Sequence, residues 1–407
     1  MPGDEFDPRV FEHNDERFIA DPYPFYAYMR RCSPRYRAAH LFGGAWLVFC
    51  HDDARQLLCD PRLSTSRARL PVAGLRAEQR AEFEDMFRAF DGWIAFNEDH
   101  RHLCMRQHAL KAAVQLRPEN LLPRVRRLID TLMRQRAEPG RFDVMQDLAT
   151  PLPGLALAEL LGVPAADAPR LKSWSQDISR LYGSTNLAPQ DIRPIRDSAL
   201  ALLGYLDEIA RSDNHEGSLL HELMGMEVKG YRPGRSEAVA QVVMLLFAAL
   251  EPTAYLVGNA IAALQAHPDQ LALVQQEPEL LDALVEETLR YDTPVQFVGR
   301  LVREAFTWKD CRMETGQVVL SYVASAHRDA GHYHQPDSFR LKRSDSQHLA
   351  FGQGAHYCLG APAVRVIAAE TLGAVLRHYP TLAPAPGAAT RFNSNLGFRG
   401  RTSLVLC

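Results

Sequence analysis

Residues 351–360 read Phe-Gly-Gln-Gly-Ala-His-Tyr-Cys-Leu-Gly. Gly352 and Gly354 bracket a short polar turn, where the missing Cβ permits a positive φ and lets the backbone approach a flat ligand closely. Cys358 follows at the mouth of an apolar run that predicts the first turns of a helix. Its sulfur should therefore meet free N–H groups and the positive end of the helix dipole, which favour the thiolate, while Phe351 shields one side. Ligation of a haem iron by a cysteine thiolate requires this combination.

The complete string F-G-x-G-x-H-x-C-L-G resembles the haem-binding loop of the cytochrome P450 family, whereas a lone cysteine after a glycine turn would usually be a buried structural residue. Length, element order and motif spacing are also similar to the soluble bacterial members from about residue 18 onward. The resemblance implies a mainly α-helical fold with small β-sheets. It places one large haem-thiolate domain at residues 18–407, after an N-terminal extension at residues 1–17. It also implies haem b (heme b) as the cofactor, with Cys358 as the axial ligand of the iron.

Composition sets limits on the partners and the location of the protein. The chain has 407 residues, of which 46% are hydrophobic, and a net charge of −3, so nothing in its charge indicates a nucleic-acid partner. Its longest apolar run, residues 242–250, is shorter than the roughly 20 residues that a membrane span needs. The acidic N-terminus lacks the apolar region of a signal peptide, and the seven cysteines form no C-x-x-C pair. We expect a cytoplasmic protein without a membrane anchor.

Hydrophobic periodicity predicts helices over most of residues 99–289, interrupted at proline and glycine clusters. Residues 63–93 scatter apolar side chains among arginines and predict a long loop with short helical pieces. The β-leaning segments are residues 45–50, 295–302, 306–308, 317–320 and 403–406. The pattern predicts one helical domain with small sheets at one side.

Glu287 and Arg290 place an acid and a base at i and i+3 on one predicted helix face. Such a spacing usually marks only a solvated ion pair. By resemblance it is the family's E-x-x-R pair, which holds the thiolate loop in place. The segment Arg328-Asp329 resembles a second family motif, and we interpret these two residues as a structural pair.

The family often adds an arginine to the E-x-x-R pair from the segment before the haem loop. In residues 336–339 the corresponding position is Ser338. Arg340 and Arg343 lie close by in the sequence, so the third partner stays open at this point.

The two haem propionates need cationic or N–H partners when they are buried. By resemblance, three positions supply them: His100, Arg300 and His356. The position one helical turn after His100, usually arginine in the family, is Cys104, so Arg106 or His102 is an alternative contact. Ordinary surface histidines at a polar helix start are an equally good explanation of His100 and His102.

The segment Ala248-Ala-Leu-Glu251-Pro252-Thr253 departs from the family's oxygen-activating motif, in which a hydroxyl residue follows the acid. Here Pro252 occupies that position, and the hydroxyl comes one residue late, about 100° further round the helix. Proline removes an N–H and leaves the carbonyl of Ala248 without its helical donor, which predicts a kink and a groove for water or dioxygen. The alternative is that Pro252 merely bends a long helix. We predict a catalytic site at Glu251, Pro252 and Thr253.

The resemblance implies a monooxygenase or oxidase that acts on an organic small molecule with O2. Electrons must come from outside, since the chain has no flavin or iron–sulfur motif, and a ferredoxin with its reductase is implied. Four cations are candidates for steering an acidic partner on the thiolate side, although they are as readily explained as solvated helix faces: Arg101, Arg106, Lys111 and Arg365.

By resemblance, the substrate pocket draws on residues 63–93, 181–189, 245–252, 295–298 and 395–398. The mainly apolar character of these segments suits a medium-sized metabolite, as in secondary metabolism, either free or bound to a carrier protein. Gln296 and Asn395 are the predicted polar anchors. The other predicted lining residues are Leu245, Ala249, Val295 and Val298.

Three alternatives stay open. The altered acid–hydroxyl pair suits an enzyme that couples two groups oxidatively without inserting oxygen. It suits equally a haem-binding protein without turnover. A zinc site at His356 and Cys358 is the third alternative, but the H-x-C spacing has no partner C-x-x-C.

Overall fold

The computed structural model describes residues 16–39, 41–135, 141–184, 187–212 and 216–407. Of the predicted N-terminal extension, residues 1–15 lie outside the described residues.

The described chain is mainly helical, with helix ends that follow local sequence signals. Prolines stand in the first turn of several helices, where the missing N–H costs nothing; α16, which begins at Ala361 and continues with Pro362, is one of them. The helices are α1 (Glu16–Ala20), α2 (Tyr23–Cys32), α3 (His51–Leu57), α4 (Ala77–Ala81), α5 (Glu84–Phe90), α6 (Asp99–Ala112), α7 (Pro118–Arg134), α8 (Pro151–Leu161), α9 (Ala168–Gly183), α10 (Pro189–Arg211), α11 (Leu219–Gly225), α12 (Arg235–Ala266), α13 (Pro268–Gln276), α14 (Leu281–Tyr291), α15 (Val323–Ala326) and α16 (Ala361–His378).

Four small sheets accompany the helices, the largest with the strand order β1-β2-β8-β5-β3. In this sheet β2 and β8 are parallel, and the other pairs are antiparallel. The strands are β1 (Arg35–Ala38), β2 (Ala45–Val48), β3 (Leu63–Ser64), β4 (Phe142–Asp143), β5 (Val298–Val302), β6 (Phe306–Trp308), β7 (Cys311–Met313), β8 (Val318–Ser321), β9 (Arg391–Phe392), β10 (Arg401–Ser403) and β11 (Val405–Leu406).

The helix α12 forms the centre of the core and packs on α8, α9, α10, α14 and α16. It is apolar on nearly all sides, as expected of a helix surrounded by others. Its composition and length would also fit a membrane span, but 56% of its most apolar window is buried inside the protein, which is typical of a core helix.

Two short ladders position the functional residues. The pairs Leu63–Val302 and Ser64–Leu301 join β3 to β5 in antiparallel register, so the chain that leaves β3 runs beside the start of β5. On its other side β5 pairs with β8, where Arg300 faces Val319. The root of the loop that follows β3 is thereby fixed beside Gly299 and Arg300.

The predicted class, mainly α with small sheets, is confirmed, and the predicted β segments coincide with strands to within a few residues. The loop at residues 63–93 contains the expected short helices α4 and α5. One boundary differs: the helix after Cys358 begins at Ala361, because the chain first makes a turn at Leu359 and Gly360.

Candidate active site

The loop before α16 holds Cys358 in a fixed place. The N–H of Cys358 donates to the carbonyl of Phe351 at 2.9 Å, which closes the loop on itself. Gly352 and Gly354 both have φ of +73°, a conformation that other residues rarely adopt. A Cβ on Gly354 would also come within 2.9 Å of the Cys59 sulfur. The predicted need for glycine at both positions is confirmed.

The surroundings of the Cys358 sulfur act on its pKa in opposite directions. Burial raises the pKa of Cys358 above its ordinary value, while the N–H groups of Gly360 and Ala361 and the charges of Arg106 and Arg365 lower it in part. The predicted stabilisation of the thiolate by N–H groups at the helix start is confirmed, but burial outweighs it. A bound metal cation would reverse the balance, because it stabilises a coordinating thiolate directly.

An ion-pair cluster lies behind the loop. Arg365 donates to both carboxylate oxygens of Glu286, at 2.7 and 2.9 Å, and its guanidinium lies 4.7 Å from the ring centroid of Phe351. The Nε2 atom of His348 is 3.4 Å from the same carboxylate, without good hydrogen-bond geometry. Burial alone would raise the pKa of Glu286, but His348 and Arg365 lower it to about 2. The cluster joins α14 to α16 and to the ring of Phe351 in the cysteine loop.

Glu287 and Arg290 are both buried and form a two-point ion pair at 2.7 and 2.8 Å. Arg290 also donates to the carbonyls of His327, Pro336 and Ser338. It thereby ties α14 to the segment that leads into the Cys358 loop, as the predicted structural role requires.

The third partner of this pair is Arg343. Its Nε lies 3.3 Å from a carboxylate oxygen of Glu287, and its Nη2 donates to the Ser338 carbonyl at 2.8 Å. Arg340 contributes only its backbone N–H to Glu287, at 2.8 Å.

The predicted pairing of Arg328 with Asp329 is wrong. Arg328 donates to Asp337 at 2.9 Å and to the Tyr291 carbonyl. Asp329 instead accepts the backbone N–H of His51 at 2.9 Å. Both side chains are structural, but they connect different elements.

The structure brings His102 to the cysteine loop and leaves His100 outside it. The His102 ring is buried and stacks on the His356 ring at a centroid distance of 3.9 Å. His100 is exposed, with the Cys104 sulfur as its neighbour at 3.7 Å. Arg106 follows His102 by one helical turn and is close enough to Cys358 to interact with it electrostatically. Of the candidates on α6, His102 and Arg106 therefore lie beside the cysteine loop.

Two enclosed guanidinium groups meet at one carbonyl. Arg300 and Arg67 each donate to the Gly299 oxygen at 3.0 Å. Burial, with a further contribution from the charge of Arg67, lowers the pKa of Arg300 to about 10. Within the described ranges, neither arginine has a carboxylate within 4.0 Å. Two such cations require anions, which haem propionates would supply at Arg300. Arg300 is where the sequence predicted it, whereas Arg67 was missed.

The helix α12 runs unbroken through Pro252. Ala248 is exposed although Leu246 and Leu250, on either side of it, are buried. The middle of a core helix thus borders open space at the carbonyl that Pro252 leaves without a donor. Thr253 is 2% exposed and belongs to the buried face. A kink and a groove were predicted here; the helix stays continuous through Pro252, and the exposed Ala248 fits the predicted groove.

Glu251 is held by two hydroxyl groups. Ser179 on α9 donates to one carboxylate oxygen at 2.5 Å, and Tyr255, one turn further along α12, donates to the other at 3.0 Å. The amide of Asn395 donates to the Ser179 carbonyl at 3.1 Å and so joins the same cluster. Burial and the Glu251 charge raise the pKa of Tyr255 well above its ordinary value. The acid therefore fastens α12 to α9.

A mainly apolar cavity of about 210 Å³, with several aromatic rings in its lining, lies among α9, α12, β5 and the turn at residues 395–398. Val295, Val298 and Asn395 line it, as predicted. From α12 it is Phe247 that contributes, whereas Leu245 and Ala249 are half-buried outside the lining. Part of the predicted segment 181–189 also contributes, but residues 185 and 186 lie outside the described residues.

The prediction of Gln296 as a polar anchor of the pocket is wrong. Its amide oxygen accepts the hydroxyl of Tyr26 at 2.8 Å, and its amide nitrogen donates to the Thr293 carbonyl at 2.7 Å. Gln296 is 3% exposed, so its hydrogen-bonding groups serve the packing of α2.

In the part of the chain that the structure describes, the one group of three side chains that could hold a metal ion is His51, Asp52 and His332. Neither His356 nor Cys358 belongs to it. The zinc alternative therefore lacks further ligands at the cysteine.

The comparison with known proteins agrees with this geometry. A profile of the family described as Cytochrome P450 matches residues 91–397. The chain is 33% identical over 375 residues to the cytochrome P450 monooxygenase PikC of Streptomyces venezuelae, covering 90% of this chain and 86% of PikC. It is 32% identical over 375 residues to cytochrome P450 107B1 of Saccharopolyspora erythraea, covering 90% of each.

Solved structures show the same fold. The crystal structure of CalO2 superimposes with a TM-score of 0.84 at 29% identity, covering 99% of this chain and 98% of that chain. P450BioI, solved in complex with an acyl carrier protein ligated to hexadec-9Z-enoic acid, gives a TM-score of 0.86 over 96% of this chain and 99% of that chain. Its identity is 24%, so this likeness concerns the fold alone.

The chain belongs to the cytochrome P450 family. It is an oxidoreductase of the monooxygenase class, and the family's haem b is held through a cysteine thiolate. Three observations fit that cofactor: the Cys358 sulfur with two N–H donors, the open space at Ala248, and the Arg300 guanidinium without a described carboxylate partner.

Proposed function

We propose that this protein inserts one oxygen atom of O2 into a medium-sized, mainly apolar organic metabolite of a secondary biosynthetic pathway. The observation that carries the proposal is the cavity beside α12, whose lining is mainly apolar and includes several aromatic rings. Such a lining binds a hydrophobic molecule by removing its surface from water. Haem, when bound, supplies the activation of O2 with two electrons, so that the other oxygen atom leaves as water.

The residues of the chain hold that cofactor in several ways in this proposal. Cys358 would hold the haem iron through its thiolate, with Phe351 as a neighbour in the same loop. His356, Arg300, His102 and Arg106 would supply the donors for the two propionates. Glu287, Arg290 and Arg343 fix the segment that carries the loop. Each group is in place through contacts that do not depend on the cofactor.

Glu251 has a gating role in the proposed proton supply. Both of its oxygens accept hydroxyl donors, from Ser179 and Tyr255. Each oxygen keeps a further acceptor site for water, and in this proposal the contact with Ser179 sets how far the carboxylate can move away from α9. Proton delivery then depends on the position of α9. The next residue of α12 is Pro252, which has no hydroxyl group to assist it.

The proposed electron donor is a ferredoxin with its reductase, docking on the exposed face of α6 and the cysteine loop. Leu103 and Leu110 are 51% and 52% exposed, and Tyr357 is 38% exposed. Of the four predicted steering cations, Arg101 is paired with Glu237 and Arg365 with Glu286. Lys111 and Arg106 have no carboxylate partner among the described residues and would meet an acidic protein. Because a ferredoxin and its reductase work in the cytoplasm, the cytoplasm is the proposed location of this protein.

Pro252 favours a second candidate, oxidative coupling of two groups without oxygen insertion. Without a hydroxyl at that position, the chain has no side chain next to Glu251 there to pass on a proton, so substrate or ordered water would have to supply that group. Product analysis with labelled O2 separates the candidates, since coupling leaves no label in the product.

A reduced, carbon-monoxide-treated absorption spectrum tests the thiolate-haem assignment first. A screen of metabolites by the spin-state shift of the haem then identifies ligands. Turnover with a bacterial ferredoxin, its reductase and NADPH follows. Product containing one labelled oxygen atom supports the proposal. A thiolate-haem spectrum without product from any bound ligand would favour a haem-binding protein without turnover.

A further inference from the structure

The cavity beside α12 contains one charge. Among the described residues that line it, Arg67 is the only charged side chain; the others are apolar, aromatic or neutral. Arg67 reaches this place because the antiparallel ladder of β3 and β5 lays the chain after Ser64 beside Gly299. Its Nε donates to the Gly299 carbonyl at 3.0 Å. No hydrogen bond within the described residues is made by its two terminal nitrogens.

An enclosed guanidinium without an anion is unfavourable. Arg300 donates to the same Gly299 carbonyl at 3.0 Å and adds a like charge. The ring of Phe96, 5.3 Å from the Arg67 guanidinium, offers a modest cation–π attraction. No acidic side chain is among the described lining residues. The site therefore has an excess positive charge that faces the space where a ligand would bind.

The haem propionates have sufficient partners without Arg67. The proposed cofactor contacts supply four donor side chains, His102, Arg106, Arg300 and His356, for two carboxylates. Arg67 differs from these in that it lines the cavity. It also borders Tyr182, whose pKa burial raises and whose hydroxyl is already engaged with the Ala68 carbonyl at 3.1 Å.

We propose that Arg67 binds a carboxylate of the substrate, so that the natural substrate is an organic acid whose apolar body occupies the cavity. This inference rests on the proposed monooxygenase function and specifies its substrate class. The two free terminal nitrogens of a planar guanidinium match the two oxygens of a carboxylate. Binding at Arg67 fixes one end of the molecule at the start of β5 and leaves the remainder against Phe247 and Phe398, which also line the cavity.

The first test uses the unaltered holoenzyme and two soluble probes of equal shape, 4-phenylbutanoic acid and 4-phenylbutan-1-ol. Their dissociation constants are measured by calorimetry at pH 7.5. The acid should bind at least about tenfold more tightly, since a hydrogen bond to a charged group is worth roughly one power of ten in affinity. Equal affinity for the two probes would overturn the proposal without requiring any variant.

The second test compares Arg67→Met with Arg69→Met. Arg67→Met keeps an unbranched apolar stem without the guanidinium and should abolish the preference for the acid, while Arg67→Lys should retain part of it. Arg69 is only two residues away but is exposed and paired with Glu84 and Asp91. Arg69→Met should leave the preference unchanged. A preference that persists in Arg67→Met contradicts the proposal.

A haem-release assay distinguishes the two sources of carboxylate. Excess apomyoglobin captures haem from each variant, and Arg300→Met should release it faster than the unaltered protein. Arg67→Met should release it at the unaltered rate. Fast release from Arg67→Met would make Arg67 a propionate contact and sink the inference. Absence of the thiolate-haem spectrum in the unaltered protein would instead refute the proposed function itself.

Discussion

The guanidinium of Arg343 lies 3.3 Å from the carboxylate of Glu287, on the same oxygen that also accepts Arg290. Two arginines thus share one buried acid, and both donate to the Ser338 carbonyl. The segment before the cysteine loop is thereby bound to α14 at several points. The Glu287–Arg290 pair therefore has a third member although position 338 is serine. That member is Arg343, five residues further along the chain.

Replacing Arg290 with alanine should prevent stable haem incorporation. The change leaves the buried Glu287 carboxylate short of a cation and frees three carbonyls, at a cost of about 3–5 kcal/mol. Haem content per chain and the free energy of unfolding measure the effect. Arg312→Ala is the control, because the Arg312–Glu314 pair is more than half exposed and should cost about 0–1 kcal/mol. Equal results for the two variants would make Glu287–Arg290 dispensable.

Cys358→Ser should abolish thiolate ligation, because a serine oxygen is a poor soft donor. The reduced carbon-monoxide spectrum should lose its thiolate-haem band, and oxygenase activity should disappear. Cys104→Ser, next to the exposed His100, is the matched control and should keep the band. A Cys358→Ser protein with the thiolate band would show that another sulfur ligates the iron.

Glu251→Ala should slow product formation by about 100-fold, the range of a general acid–base group, with a smaller effect on substrate binding. This is the pattern of a group that acts after the ground state. Ser179→Ala removes one donor from the carboxylate and should leave the rate closer to that of the unaltered enzyme. Single-turnover rates and dissociation constants measure both quantities. A Glu251→Ala enzyme with weaker binding and an unchanged rate would limit Glu251 to fastening α9.

Pro252→Thr should leave haem binding intact and change how efficiently electrons are used. The threonine restores an N–H for the Ala248 carbonyl and adds a hydroxyl at the groove. NADPH consumed, peroxide released and product formed are compared with the parent enzyme. If peroxide and product per NADPH are the same in both enzymes, Pro252 has only a structural role in the helix.

Glu286 gives the stability of the loop a specific pH dependence. Burial would raise its pKa, but His348 and Arg365 lower it from 4.5 to about 2. Because the folded-state pKa is the lower one, the stabilisation is full above the unfolded value and is lost as the pH falls through about 2. Glu286→Gln should therefore lower Tm at pH 7, with a difference from the parent that shrinks between pH 5 and pH 3. Glu279→Gln, at an exposed site, should show no such trend in calorimetry.

The sequence was sufficient for local features whose cause is local. The positive φ of Gly352 and Gly354 and the Glu287–Arg290 spacing depend on a few neighbouring residues, and both were predicted. The strand segments were recognisable for the same reason, since alternation and β-branched residues act over short distances.

Features that depend on distant contacts were predicted less well. Gln296 looked like a pocket residue, but Tyr26, far away in the sequence, takes up its amide. His100 and His102 both begin a polar helix, and only packing on His356 distinguishes them. One feature of the sequence could have distinguished them: His102 and Arg106 are four residues apart, which places them on one face of a helix. Arg67 gave no signal, because its position follows from the pairing of β3 with β5.

The β3–β5 ladder has a consequence for how this protein can change. The loop after β3 is anchored at its root to the strand that carries Arg300, while its later residues, with α4 and α5, are tied to the body by contacts of their own. Insertions and substitutions there can reshape the cavity without displacing the strand beneath it. Exchange of residues 68–92 between relatives is thus a route to new selectivity on an unaltered cofactor platform.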